Sequence, residues 1–218
     1  MAARAEAVVL LHGLWMNRLA MLYLARSLDR AGFRPVSLAY RSVRGTPDEH
    51  VAAVARRIAS IRADTVHLVG HSLGGVVALG YLAGEPDKRI GRAVLLGSPV
   101  AGSRAAQALG RWHGAGLFLG RSIAIWQADF HQRRRRQLEG RFCVGAIAGS
   151  RPLPSPLGLA RFIVRIPPPN DGVVTVDETR LPGLSGHIVL PVSHSGMLIS
   201  SRVAQQVAAF LRRGHFEP

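Results

Sequence analysis

Four short apolar runs, at residues 7–12, 34–40, 65–70 and 92–97, set the tightest limit on what this chain can fold into. Their starts lie 27 to 31 residues apart, about the length of a strand, a covering helix and two loops. Runs such as Ala7-Val8-Val9-Leu10-Leu11 show no polar alternation, the pattern of parallel strands covered on both faces. The expected class is α/β. Phe142–Ile147 and His187–Val192 supply two later strands, so the expected sheet is mostly parallel, has about six strands and carries helices on both faces.

The connecting segments carry helix signals of their own. Thr46-Pro47-Asp48-Glu49 combines a capping hydroxyl, a proline at the first helical position and a glutamate at the third. Val51, Val54, Ile58 and Ile61 follow at helical spacing. Near the C-terminus, Val203, Val207, Phe210 and Leu211 repeat the pattern until Gly214 stops it. Residues 103–141 break the rhythm and read as a helical excursion over one end of the sheet, a cap or lid segment within one domain spanning 1–218. A second irregular stretch, Ser150–Pro169, is rich in Pro and Gly. Internal repeats and interdomain linkers are not evident.

Composition removes several classes. At 48% hydrophobic and 19% charged residues the chain is not globally disordered. The first apolar run is cut by His12-Gly13, far short of the ~20 apolar residues of a membrane span, and no signal-peptide pattern precedes it. The single cysteine, Cys143, can form no internal disulfide and no Cys-based zinc site, which points to a reducing, cytoplasmic setting. The net charge is +15, and Lys88 is the one lysine among 28 cations. No nucleic-acid-binding signature accompanies this charge, so a nucleic-acid partner is not expected. Arg133, Arg134, Arg135 and Arg136 read either as a solvated helical face or as a peripheral contact with anionic membrane.

The third run leads directly into Gly70-His71-Ser72-Leu73-Gly74-Gly75 and then the apolar helical stretch Val76-Val77-Ala78-Leu79. A serine on a strand-to-helix turn this sharp needs small residues two before and two after it, and Gly70 and Gly74 meet that need. Its hydroxyl is a weak nucleophile without a base. His194 lies just past the last strand, at the carboxyl edge where parallel sheets place reactive groups. His187 starts that strand, His67 lies inside the third, His71 adjoins the serine but should point elsewhere, and His215 is in the tail. The base requires an orienting carboxylate. Asp171, in the Pro-Pro-Pro-Asn-Asp-Gly turn, fits best among Asp87, Asp129, Asp171 and Asp177, with Asp177 and Glu178 as fallback. Two oxyanion donors are expected, the backbone N–H groups of Leu73 and of Leu14, and His12 should shape the Leu14 loop by hydrogen bonding.

Leu11-His12-Gly13, Gly70–Gly75, Asp171-Gly172 and Ser193-His194-Ser195-Gly196, in that order, resemble the α/β-hydrolase superfamily, especially its small bacterial lipases and esterases. The resemblance implies an α/β-hydrolase fold and serine hydrolase activity on small-molecule or lipid carboxylic esters through an acyl-enzyme. It implies Ser72 as nucleophile, His194 as base, Asp171 as its orienting acid, and Leu14 and Leu73 as oxyanion donors. Thioesterase, acyltransferase and amidase activity on the same triad stay open, as does a non-catalytic membrane-binding module. No metal or nucleotide motif is present, so no cofactor is expected.

Overall fold

The computed structural model describes residues 6–103, 140–152 and 166–218. Residues 104–139 of the excursion expected over 103–141, with Arg133–Arg136 and Asp129, and most of the irregular stretch 150–169 lie outside these residues.

Six strands form one sheet: β1 (Glu6–Leu11), β2 (Arg34–Leu38), β3 (Thr65–His71), β4 (Ile90–Leu96), β5 (Cys143–Gly149) and β6 (Gly186–Leu190). Their order is β2-β1-β3-β4-β5-β6, and every neighbouring pair is parallel. The central runs form strands because both faces are covered, whereas the edge strands β2 and β6 are only partly buried. Ala7, Val9, Leu11, Val66 and Leu68 face one apolar layer, whereas Val8, Leu10, Val69, Val94 and Leu96 face the other.

Helices α2 (Pro47–Ala59) and α3 (Leu73–Leu82) cover the first face through Val54, Ile58, Val76 and Leu79. Helices α1 (Leu22–Arg30) and α4 (Ser201–Arg213) cover the second through Leu24, Leu28, Val203, Val207 and Phe210. The caps expected from the sequence are in place. Thr46 Oγ1 accepts from the Glu49 N–H at 3.3 Å while Glu49 Oε2 accepts from the Thr46 N–H at 2.8 Å, and Gly214 closes α4 at φ 80°. Every residue of α3 is buried, which suits its nearly uninterrupted apolar sequence. Among the described residues no helix is long and apolar enough to cross a membrane.

The strand order creates the opening that matters. The chain leaves β1 toward β2 on one side, and β3 lies on β1's other side, so the loops after β1 and β3 diverge at the carboxyl edge of the sheet. Open parallel sheets bind ligands at such a switch point.

Four histidines, His12, His50, His67 and His71, are each at most 2% exposed. Burial holds their pKa values below the usual 6.5, that of His71 at about 3. Below pH 6.5 the unfolded chain therefore takes up protons that the folded chain refuses, and stability falls as pH falls toward the folded values. The urea midpoint at pH 5 should lie clearly below that at pH 7.5. Equal midpoints at the two pH values would contradict this burial.

Candidate active site

Ser72 is the single residue between β3 and α3, and its backbone sits at φ 53°, ψ −121°. A side-chain-bearing residue at positive φ is strained, and it persists only where its surroundings over-determine it. The Ser72 N–H donates to the Leu96 carbonyl at 2.8 Å, and the Gly75 N–H donates to the Ser72 carbonyl at 3.1 Å. Both expected glycines are sterically required. A Cβ on Gly70 would lie 2.4 Å from the Gly74 carbonyl carbon, and one on Gly74 would lie 2.2 Å from the Leu11 oxygen. Leu73 is the first residue of α3, so its N–H is one of the donors that a helix start leaves without an internal partner.

Asp171 and His194 meet beyond β5 and β6. The His194 Nδ1–H donates to Asp171 Oδ2 at 2.7 Å, and the His194 backbone N–H donates to the Asp171 carbonyl at 2.9 Å. The other carboxylate oxygen, Oδ1, accepts from the N–H groups of Val173 at 2.9 Å and Val174 at 2.7 Å. With Nδ1 engaged as a donor, the neutral ring carries its lone pair on Nε2. Both residues are buried, Asp171 at 2% and His194 at 8% exposure.

The remaining acidic and histidine candidates are held elsewhere. Asp177 is exposed and pairs with Arg180 at 3.7 Å, Glu178 accepts from the N–H and Oγ1–H of Thr175, and Asp87 pairs with Arg89 at 2.7 Å. His187 pairs with Thr179 Oγ1 at 2.8 Å, His67 accepts from the Arg92 N–H, and His215 lies in the exposed tail.

The loop after β1 approaches the serine directly. A Cβ on Gly13 would come 3.1 Å from His71 Nδ1 and 3.2 Å from Ser72 Cβ. Leu14, the next residue, is half-buried and packs on the apolar layer of α2 and α3. His12 shapes this loop as expected, its Nδ1–H donating to the Gly13 carbonyl at 2.9 Å.

Three residues with local roles escaped the sequence reading. The His71 ring turns inward, donates from Nε2–H to the His194 carbonyl at 2.9 Å and packs 4.6 Å from the His194 ring. It therefore ties the His194 loop to the serine turn, and burial first, with His194 beside it, keeps it uncharged. Gly97, at φ 53°, leaves room for the Asp171–His194 pair, since a Cβ there would lie 3.0 Å from Asp171 Oδ2 and 3.1 Å from His194 Nδ1. Gly149 does the same from β5, where a Cβ would lie 2.8 Å from Asp171 Cβ. Their positions at strand ends were the available signal. Among the described residues no group of three or more His, Cys, Asp or Glu side chains could hold a metal ion.

This arrangement can be set beside known proteins. The structure is similar to that of the mature lipase BlEst2 of Bacillus licheniformis (TM-score 0.75, 20% identity, covering 98% of this chain and 93% of the other). It is also similar to the metagenomic carboxyl esterase MGS0156 (TM-score 0.66, 17% identity, 89% and 66% covered). A third likeness is to carboxylesterase CesB of Bacillus subtilis (TM-score 0.55, 18% identity, 96% and 84% covered). No curated protein sequence matches the chain. At these identities the likenesses speak for the fold. The model of the alpha/beta hydrolase family, however, matches residues 8–216, nearly the whole sequence, and the chain belongs to that family.

Proposed function

We propose that this protein is a serine hydrolase of carboxylic esters in which Ser72 is the nucleophile, His194 the general base and Asp171 its orienting acid. One observation carries the reading: a buried carboxylate bonded at 2.7 Å to a histidine whose loop is tied to the strained serine turn. The lipase and carboxylesterases of similar fold support ester chemistry.

The Ser72 oxygen attacks the ester carbonyl as His194 Nε2 takes its proton, and the carbonyl electron pair moves onto oxygen. The N–H groups of Leu73 and Leu14 receive that oxyanion, and the N-terminal end of α3 favours the same negative charge. The ester C–O bond then breaks, His194 returns the proton to the departing alcohol, and an acyl-Ser72 ester remains. Water, deprotonated by His194, repeats the sequence and releases the acid. Asp171 stays ionised throughout and stabilises the imidazolium.

Trp15 and Ile199, 48% and 68% exposed, extend apolar surface from the loops that carry Leu14 and His194. The reading takes the chain as one domain acting without a cofactor, and the single half-buried Cys143 supports a cytoplasmic setting.

Replacing Ser72 by Ala should abolish hydrolysis of p-nitrophenyl esters while circular dichroism and melting temperature hold. Hydrolysis at the wild-type rate in that variant would refute the assignment. Asp171→Asn keeps the oxygen that accepts from Val173 and Val174 but reverses the polarity facing His194 Nδ1. Its kcat should fall about 10⁴-fold with little change in KM. A fall of less than tenfold would remove Asp171 from the role of orienting acid.

A further inference from the structure

The Leu14 N–H can stabilise an oxyanion only if its peptide plane faces the serine before the reaction begins. Gly13 does not impose that orientation, because glycine accepts nearly any backbone conformation. A trans peptide holds its N–H opposite its C=O, so whatever grips the Gly13 carbonyl aims the Leu14 N–H that shares its peptide. The Gly13 carbonyl is gripped locally, by His12 Nδ1–H at 2.9 Å and the Met16 N–H at 3.4 Å. The His12 carbonyl is gripped from outside the loop. It accepts from the phenolic O–H of Tyr40, which lies just beyond β2.

That carbonyl also has little freedom on its other side, since a Cβ on Gly74 of the serine turn would lie 2.8 Å from it. The loop backbone therefore runs between the start of α3 and the Tyr40 hydroxyl. Tyr40 is itself fixed, its ring stacked on His12 at 4.4 Å and 21° and met edge-on by His50 at 5.0 Å and 72°. His50 fits there because Gly45 has no side chain, a Cβ on which would lie 2.4 Å from His50 Cε1. Burial raises the phenol pKa above its usual 10, so the hydroxyl remains a donor across the neutral and mildly alkaline range. In the same loop Trp15 is held at φ 56°, a strained backbone that needs such external support.

We propose that Tyr40 is a positioning residue for ester hydrolysis: by donating to the His12 carbonyl it fixes His12, whose Nδ1–H holds the Gly13 carbonyl, and so keeps the Leu14 N–H of that same peptide facing the oxyanion formed on Ser72. The inference rests on the reading of Ser72 as nucleophile. The Tyr40 hydroxyl is engaged with the His12 carbonyl, so its effect falls on the state in which negative charge has developed.

The test is Tyr40→Phe, which keeps the ring contacts with His12 and His50 and removes one oxygen. For a p-nitrophenyl ester kcat should fall about tenfold with KM within twofold of wild type, since ground-state contacts are untouched. Phenylboronic acid, whose tetrahedral adduct with a serine oxygen mimics the intermediate, should inhibit about tenfold more weakly. The melting temperature should drop by no more than about 4 °C, as for one lost hydrogen bond. A folded variant with wild-type kcat, or one whose kcat falls while boronate inhibition is unchanged, would overturn the role. If the wild-type protein neither hydrolyses the ester nor binds the boronate, the nucleophile reading itself fails and the role of Tyr40 falls with it. A wild-type enzyme that does both, beside an equally active Tyr40→Phe, rejects Tyr40 alone.

Discussion

The strained turn at Ser72 is the constraint on which the rest of the carboxyl edge depends. Strand β3 ends and α3 begins within one residue, so the backbone must reverse at φ 53° with a side chain present. This is stable only because α3 is drawn close against β1 and β3, and Gly70 and Gly74 are what permit that approach. With Gly74 nearly touching the Leu11 and His12 carbonyls, the chain leaving β1 is guided past the serine. The same turn directs His71 inward, where its ring reaches the loop that carries His194. Backbone strain, the path of the neighbouring loop and the anchorage of the histidine thus follow from one tight handover.

The site draws on five strand ends, and each has its own means of close approach. Gly13 brings the β1 loop against Ser72, Gly97 and Gly149 clear space at β4 and β5 for the Asp171–His194 pair, and the loop after β6 supplies His194. Asp171 holds His194 at two points, through its carboxylate and through its carbonyl, which fixes both the ring and its backbone. His71 of the serine turn and His194 lie 123 residues apart in sequence. His71 links the two segments through its bond to the His194 carbonyl, and its lack of charge matters, because a cation there would oppose protonation of the adjacent His194 ring.

Much of this was legible beforehand because it depends on patterns local to a few residues. Short β-rich apolar segments marked the six strands, Thr46 to Glu49 marked the start of α2, and Gly70 and Gly74 marked the turn. The choice of Asp171 over Asp177 and Glu178 followed from its place in the Pro-Pro-Pro-Asn-Asp-Gly turn between the fifth strand and the His194 strand, and the structure pairs Asp171 with His194. What was hidden depends on backbone atoms, which carry no residue identity. His71 and Tyr40 both bond to carbonyl oxygens, of His194 and His12, and any residue type at those acceptors would look the same in the sequence. Gly97 and Gly149 were hidden for a related reason: each is required by a side chain arriving from another strand end, which no local window contains.

The central claim is that Ser72 is an activated nucleophile within a prepared acyl-transfer site. Intact-protein mass spectrometry after exposure to a fluorophosphonate tests it without knowledge of the natural ester. The account predicts one covalent adduct per chain, mapped to the peptide containing Ser72 and absent from the folded Ser72→Ala protein. A folded wild-type chain that takes up no adduct, or an adduct that persists in the variant, would contradict it.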